Sequence, residues 1–141
     1  SPRFRLMPGI PDLIKELQKR DGIVLAIVTG NFEETAWLKL ERGGIRTPFC
    51  FGAFGSDAED RGRIVEIALE RAARFLNAPP RLNHTYMIGD TTQDIEAAKR
   101  HGLKTIAVST GPYSEEDLSP LKPDHILPDL SDKERFLKLL G

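Results

Sequence analysis

The sequence predicts an α/β fold with a mainly parallel sheet and helices on its faces. Three observations carry that expectation. Short, almost wholly apolar runs alternate with stretches of helical periodicity. Several runs end at glycine-containing turns, and the runs are continuous rather than alternating, as expected of strands covered on both faces.

Taken in order, a helix is expected first after Pro8-Gly9, because Ile10, Leu13, Ile14 and Leu17 fall at i, i+3, i+4 and i+7 and form one apolar stripe. Asp21-Gly22 ends it. Residues 23–28 form a β-branched-rich run that reads as a strand buried on both sides, stopped by Thr29-Gly30-Asn31. A helix over 33–42 follows and closes at Gly43-Gly44. Residues 48–54 read as a second strand, with Cys50 between two phenylalanines as a small buried residue. After the polar loop 55–60, Ile64, Ala68, Ala72 and Phe75 mark the inner face of a long helix broken at Pro79-Pro80. Residues 85–88 make a third strand, 94–100 a helix capped by Gly102, 105–108 a fourth strand and 125–127 a short fifth. Ser131 and Glu134 have capping-box spacing ahead of a last helix.

Bulk properties narrow the function classes. With 141 residues the chain is long enough for one domain that buries roughly two-thirds of its unfolded surface. A net charge of -1 with scattered basic residues gives no field to gather nucleic acid or an anionic membrane. No apolar run reaches the ~18 residues of a membrane span, and no signal-peptide pattern opens the sequence. The single cysteine excludes an internal disulfide and points to a reducing, cytoplasmic compartment.

Ligands of open α/β sheets bind beyond the carboxyl ends of the strands, and two such ends carry polar residues unlike the runs before them. Asp90 follows the third strand directly and Asp94 lies four residues on, so both carboxylates stand at one strand-to-helix junction where they could share a hard divalent cation. The plainer reading is that Asp94, Thr91 or Thr92 caps the helix. Thr29 offers a hydroxyl, and the Gly30 and Asn31 N–H groups precede a helix, which suits an anion; a simple turn with an N-cap explains them as well. Arg61 opens the long helix among acids that suit its dipole better than a cation does. It could face a phosphate, pair with Asp90 or Asp94, or lie in solvent. His84, His101 and His125 have no ligand spacing and read as surface or loop residues.

Together these stretches resemble the haloacid dehalogenase (HAD) superfamily, most closely its phosphoglycolate-phosphatase-like members. The resemblance rests on Pro8-Gly9-Ile10, Ile27-Val28-Thr29-Gly30-Asn31, Phe54-Gly55-Ser56-Asp57 with Asp60-Arg61, and Ile88-Gly89-Asp90-Thr91-Thr92-Gln93-Asp94. It covers nearly the whole chain from Pro8 onward, as a Rossmann-like core. The resemblance implies a phosphatase using Mg2+ on a small phosphorylated metabolite. Thr29, with the Gly30 and Asn31 amides, would hold the phosphoryl group, Arg61 would steady its charge, and Asp90 and Asp94 would bind the metal.

The family's first motif, D-x-D-x-T/V on the central strand, has no counterpart: Ser1 to Met7 contain no aspartate and no D-x-D occurs anywhere. The cap domain inserted after that motif is absent too. The expectation is therefore a partial catalytic core over residues 1–141, carrying motifs two to four and inactive by itself for want of a nucleophile. An N-terminal segment or self-association would complete the sheet. The alternative is a non-catalytic phosphate- or metal-binding module. A dehalogenase fits less well, since such enzymes need no magnesium and usually lack the paired acids seen here as Asp90 and Asp94.

Overall fold

A computed structural model of the chain describes residues 10–20, 22–44, 46 and 49–140. Strands and helices alternate through the first four strands. α1 (Ile10–Lys19) precedes β1 (Leu25–Val28); α2 (Glu33–Arg42) leads to β2 (Phe49–Ala53); α3 (Arg61–Leu76) leads to β3 (Tyr86–Gly89). After these come α4 (Thr92–Arg100), β4 (Lys104–Val108), the one-turn α5 (Glu115–Leu118), β5 (His125–Leu127) and α6 (Lys133–Leu139). All strand pairs are parallel, but they fall into two sheets, β1-β2 and β3-β4-β5. Among the described residues no backbone ladder joins β1 to β3. The break falls where the sequence reading leaves out the central strand.

Side chains nevertheless hold the two sheets together on both faces. On one face Leu13 and Leu17 of α1 and Phe136 of α6 pack with Ile106, Val108 and Leu127, and both Leu25 of β1 and Tyr86 of β3 rest against this cluster. On the other, Val65 of α3 and Ala97 and Ala98 of α4 pack with Met87, and Val28 of β1 joins them. Burying a Leu, Ile or Phe contributes about 1.5–3 kcal/mol, so these shared layers hold β1 and β3 in a common frame without a shared ladder. The helix stripe expected of α1 is confirmed at Leu13, Ile14 and Leu17, all of them buried.

The elements start and stop for local reasons. α3 begins because the Asp60 carboxylate accepts the Arg63 N–H, and it ends where Asn77 turns left-handed at φ 55°. α4 is capped by the Thr91 hydroxyl, which accepts the Asp94 N–H, and Gly102 turns the chain at φ 75°.

Four expectations need correction. β1 is not covered on both faces: Ala26 is exposed and Val24 is 38% exposed, as is Ile88 of β3, because both strands are edges facing the break. Cys50 is exposed, since β2 is itself an outer strand with a free side. Phe75 lies on the surface at 53% exposure, its ring tilted against Phe51 of the outer strand β2 with centroids 5.7 Å apart and nothing among the described residues covering its far side; the buried face of α3 is carried by Ile64, Val65 and Ala68 instead. Ser131 does not form a capping box: its hydroxyl donates to Asp129, and Asp132 caps α6 by accepting the Arg135 N–H. A capping box does occur at Ser114 and Asp117, opening α5, which the sequence reading missed. No described helix is long and apolar enough to cross a membrane.

Candidate functional site

The exit of β1 is shaped by the exit of β2. The Thr29 N–H donates to the Ala53 carbonyl at 3.2 Å, extending the ladder by one residue, and the Gly55 N–H donates to the Asn31 carbonyl at 2.8 Å. Gly55 lies so close beneath that a Cβ there would stand 2.0 Å from the Gly30 carbonyl oxygen, so only glycine lets the two loops meet. The Ser56 hydroxyl accepts the Glu33 N–H at 3.1 Å and occupies one amide at the start of α2. Thr29 Oγ1 accepts the Asn31 N–H at 3.1 Å. That bond uses the oxygen as acceptor and leaves the hydroxyl proton to donate elsewhere, while the Asn31 amide is already engaged.

β3 ends in Gly89, and the two acids stand on either side of Thr91. Asp94 occupies the first turn of α4, buried at 7% exposure, with its side chain against Gly89, where a Cβ would meet the Asp94 Cβ at 2.5 Å. Asp90 is half-buried beneath the loop after β4: a Cβ on Gly111 would lie 2.5 Å from Asp90 Oδ2. Burial pushes the Asp90 carboxyl above the usual carboxylate range, and the Asp94 charge pushes it further; its own backbone amide and Arg61 pull the other way. Two carboxylates that repel one another at a strand end are a hard-oxygen donor set whose repulsion a divalent cation relieves. Among the described residues no third His, Cys, Asp or Glu joins them.

Arg61 ties the two strand ends together. Its Nη1 donates to Asp94 Oδ1 in an ion pair whose side chains are 22% and 10% exposed. Its Nη2 lies against the loop after β1, 3.0 Å from where a Cβ on Gly30 would be. The first residue of α3 thus touches both the Thr29 loop and the Asp90–Asp94 junction, although β1 and β3 belong to different sheets. Beside it an open cleft of about 200 Å³ runs between α3 and α4, lined by Gly30, Arg61, Gln93, Glu96 and Arg100 among others; Thr29 and Asp90 do not line it.

Sequence reasoning did not find every residue that shapes this end of the fold. Asp57 is more than a complement to the α3 dipole: it accepts two hydrogen bonds from Arg71, at 2.8 and 2.9 Å, and one from the Phe54 N–H at 2.9 Å. Their spacing of fourteen, from the loop before α3 to a residue well inside it, gave no sequence signal. His101 faces the Gly62 carbonyl at 2.9 Å, near the start of α3, while His84 and His125 are exposed. The closeness of Gly111 to Asp90 is a tertiary fact with no local signature.

Comparison with known proteins places this geometry. Residues 61–133 match the HAD-hydrolase-like family. The chain is 30% identical over 131 residues to a phosphoglycolate phosphatase from Synechococcus elongatus, covering 93% of this chain and 58% of the relative. It is 31% identical over 128 residues to the pyrophosphatase PpaX from Oceanobacillus iheyensis, covering 89% and 56%. The structure of the HAD-hydrolase YfnB from Bacillus subtilis, solved with magnesium bound, superposes with a TM-score of 0.76 at 24% identity, over 97% of this chain and 56% of that one. The chain therefore spans a little under three-fifths of the length of these proteins. On its matched helices and strands, and on the order of its motifs, the chain belongs to the HAD-hydrolase-like family.

Proposed function

We propose that these residues are the phosphate- and magnesium-handling part of a phosphomonoester hydrolase acting on a small phosphorylated metabolite. In it a carboxylate nucleophile from outside this stretch attacks phosphorus as the ester P–O bond breaks and the alcohol leaves, and water then splits the aspartyl-phosphate into inorganic phosphate and the free carboxylate. The observation that carries this reading is Arg61, which meets Asp94 and the Gly30 backbone at once and so gathers three separate motifs at one end of the fold. Longer relatives named for phosphoglycolate and pyrophosphate, and a structural neighbour solved with magnesium, support it. A reducing, cytoplasmic setting suits the free Cys50.

Each residue has a physical task. The Thr29 hydroxyl, with its oxygen already accepting from Asn31, donates its proton to a phosphoryl oxygen. Arg61 neutralises charge on the equatorial oxygens during transfer. Asp90 and Asp94 hold Mg2+, which supplies further charge neutralisation. The Gly55–Gly30 contact fixes the height of the Thr29 loop, and the Gly111 loop keeps Asp90 half out of water. No D-x-D occurs in the sequence, so the aspartate that attacks phosphorus comes from another segment and these 141 residues do not turn over by themselves.

Hydrolysis of p-nitrophenyl phosphate with magnesium tests the chemistry. The expected result is no turnover by this chain, together with phosphate-dependent amide shifts at Gly30 and Asn31 in NMR spectra. Robust turnover that Asp90→Asn abolishes would overturn the outside nucleophile, and silence at Gly30 and Asn31 would overturn the phosphate site. A second reading, a non-catalytic module that completes its sheet with another chain or a second copy, is favoured by the exposed edges at Val24 and Ile88. Concentration-dependent self-association in sedimentation, without phosphate shifts, favours that module.

A further inference from the structure

Arg61 stands where two different ligands would want it. Its guanidinium occupies one oxygen of Asp94 and simultaneously lies against Gly30 of the loop assigned above to phosphate. The junction it serves holds two carboxylates, Asp90 and Asp94, and the Arg61 guanidinium pairs with Asp94. Asp94 is one of two buried polar residues among those described, and Asp90 stands four residues before it at the same strand end.

We propose that Arg61 is an exchangeable internal counter-cation. In the metal-free chain it holds Asp94 Oδ1. A divalent cation at Asp90 and Asp94 displaces it, and the released guanidinium then serves the anion at Thr29 and Gly30. Metal and phosphate consequently bind with positive coupling, each tightening the other, because both draw on the same side chain. The physics is charge bookkeeping in a half-dry pocket. With the dication seated, the two carboxylates are already neutralised and the guanidinium gains little by staying. A phosphate dianion beside Gly30 offers it a bidentate partner instead. The guanidinium's long stem is anchored at the first residue of α3, already within reach of both places, so the exchange needs a rotamer change and no movement of backbone.

This inference rests on the magnesium reading above, and one experiment separates the two. Magnesium is titrated into the full chain at constant ionic strength, with and without inorganic phosphate, following the amides of Asp90 to Asp94 by NMR. The same is done for Arg61→Met, which removes the charge at similar length, for Arg61→Lys, which keeps it without the fork, and for Asp94→Asn. For wild type, saturating phosphate is expected to tighten magnesium about 5-fold or more. Arg61→Met is expected to bind magnesium several-fold more tightly than wild type without phosphate, and to lose the phosphate effect. Arg61→Lys, whose ammonium still competes, falls between the two. Magnesium affinity that is unchanged or weaker in Arg61→Met overturns the exchange while leaving the metal site standing. Absence of any magnesium response at Asp90 to Asp94, in wild type and every variant, removes the metal site and the exchange with it. Equal affinities with and without phosphate in wild type also overturn the coupling.

Discussion

Two strand-to-helix junctions sit side by side at the same end of this fold, and each contains an arginine of α3 facing an aspartate. After β2, one carboxylate meets one guanidinium. Asp57 takes two bonds from Arg71 and one from the Phe54 amide, and Arg71 also donates to the Gly52 carbonyl at 2.7 Å. The Arg71 bonds hold the Asp57 carboxyl below the usual carboxylate range, against the opposing effect of burial. After β3, two carboxylates share one guanidinium, and burial with the Asp94 charge lifts Asp90 above that range. The first junction is satisfied and closes a loop. The second is short of positive charge, and a shortage of that kind in a folded protein is where an external ligand gains most.

The largest expected effect lies in the satisfied junction. Asp57→Ala leaves the Arg71 guanidinium without its partner and uncaps the turn at Phe54, at a cost of about 2–3 kcal/mol for lost charge-assisted bonds in a partly buried site. Asp94→Asn, by contrast, loses the pair with Arg61 but relieves the repulsion on Asp90, and about 1 kcal/mol or less is expected because the two changes oppose one another. Urea denaturation of both variants measures the difference. Equal losses would mean that the β3 junction is structural too, and would undercut the functional reading of its acids.

Gly55→Ala comes next, because it strikes the seam between the β1 and β2 loops. The new methyl would lie 2.0 Å from the Gly30 carbonyl oxygen, a backbone atom that cannot simply rotate aside. A loss of about 1–3 kcal/mol is expected, the range for forcing extra volume into a packed site. The same variant should shift the Gly30 and Asn31 amides far more than those of Asp90 and Thr91. A uniform response across both junctions would show that the loops are not independent.

These junctions also show how far the sequence could be read. The α/β class was legible because Ile27-Val28 and Met87-Ile88 are apolar runs with polar residues immediately after them, a local pattern that survives without tertiary information. The positions of Thr29, Asp90 and Asp94 at strand ends followed from the same pattern. Partners across the fold did not. Arg71 finds Asp57 only because α3 runs antiparallel to the strand it leaves, and Gly111 covers Asp90 only because β4 lies beside β3. Cys50 and Phe75 misled for a related reason. An apolar residue within a strand or helical stripe reads as buried, yet β2 is an outer edge and Phe75 packs only on that edge. Local pattern names the face of an element; whether anything covers that face is decided elsewhere in the chain.

Acid sharpens the comparison. Arg71 holds the folded Asp57 carboxyl below the ordinary aspartate range, so its contribution is fully present above the unfolded value and is lost as pH falls through the folded one. Asp57→Asn keeps the shape of the side chain and removes that contribution. The stability gap between wild type and Asp57→Asn should be complete near pH 6 and shrink below about pH 4, as Asp57 is protonated in both states. Denaturation midpoints measured from pH 6 to pH 3 read this directly. A gap that stays constant into acid would assign the junction's strength to packing of the Arg71 stem instead.

The smallest expected effect has the opposite sign. Asp90 has a raised carboxyl, so ionising it works against the fold; that penalty is complete above the folded value and disappears as pH falls through it toward the unfolded one. Asp90→Asn removes the charge and keeps an oxygen for the backbone bond. At neutral pH it is expected to be more stable than wild type by up to about 1 kcal/mol, or roughly 3 °C in Tm for a chain of this size. The gain should fade in acid, mirroring the loss in Asp57→Asn. A carboxylate that weakens its own fold persists at a site when its charge has another use, here a cation it would share with Asp94. If Asp90→Asn is instead destabilised at neutral pH, then the charge at position 90 is serving the fold, and the contrast between the two junctions fails at its sharpest point.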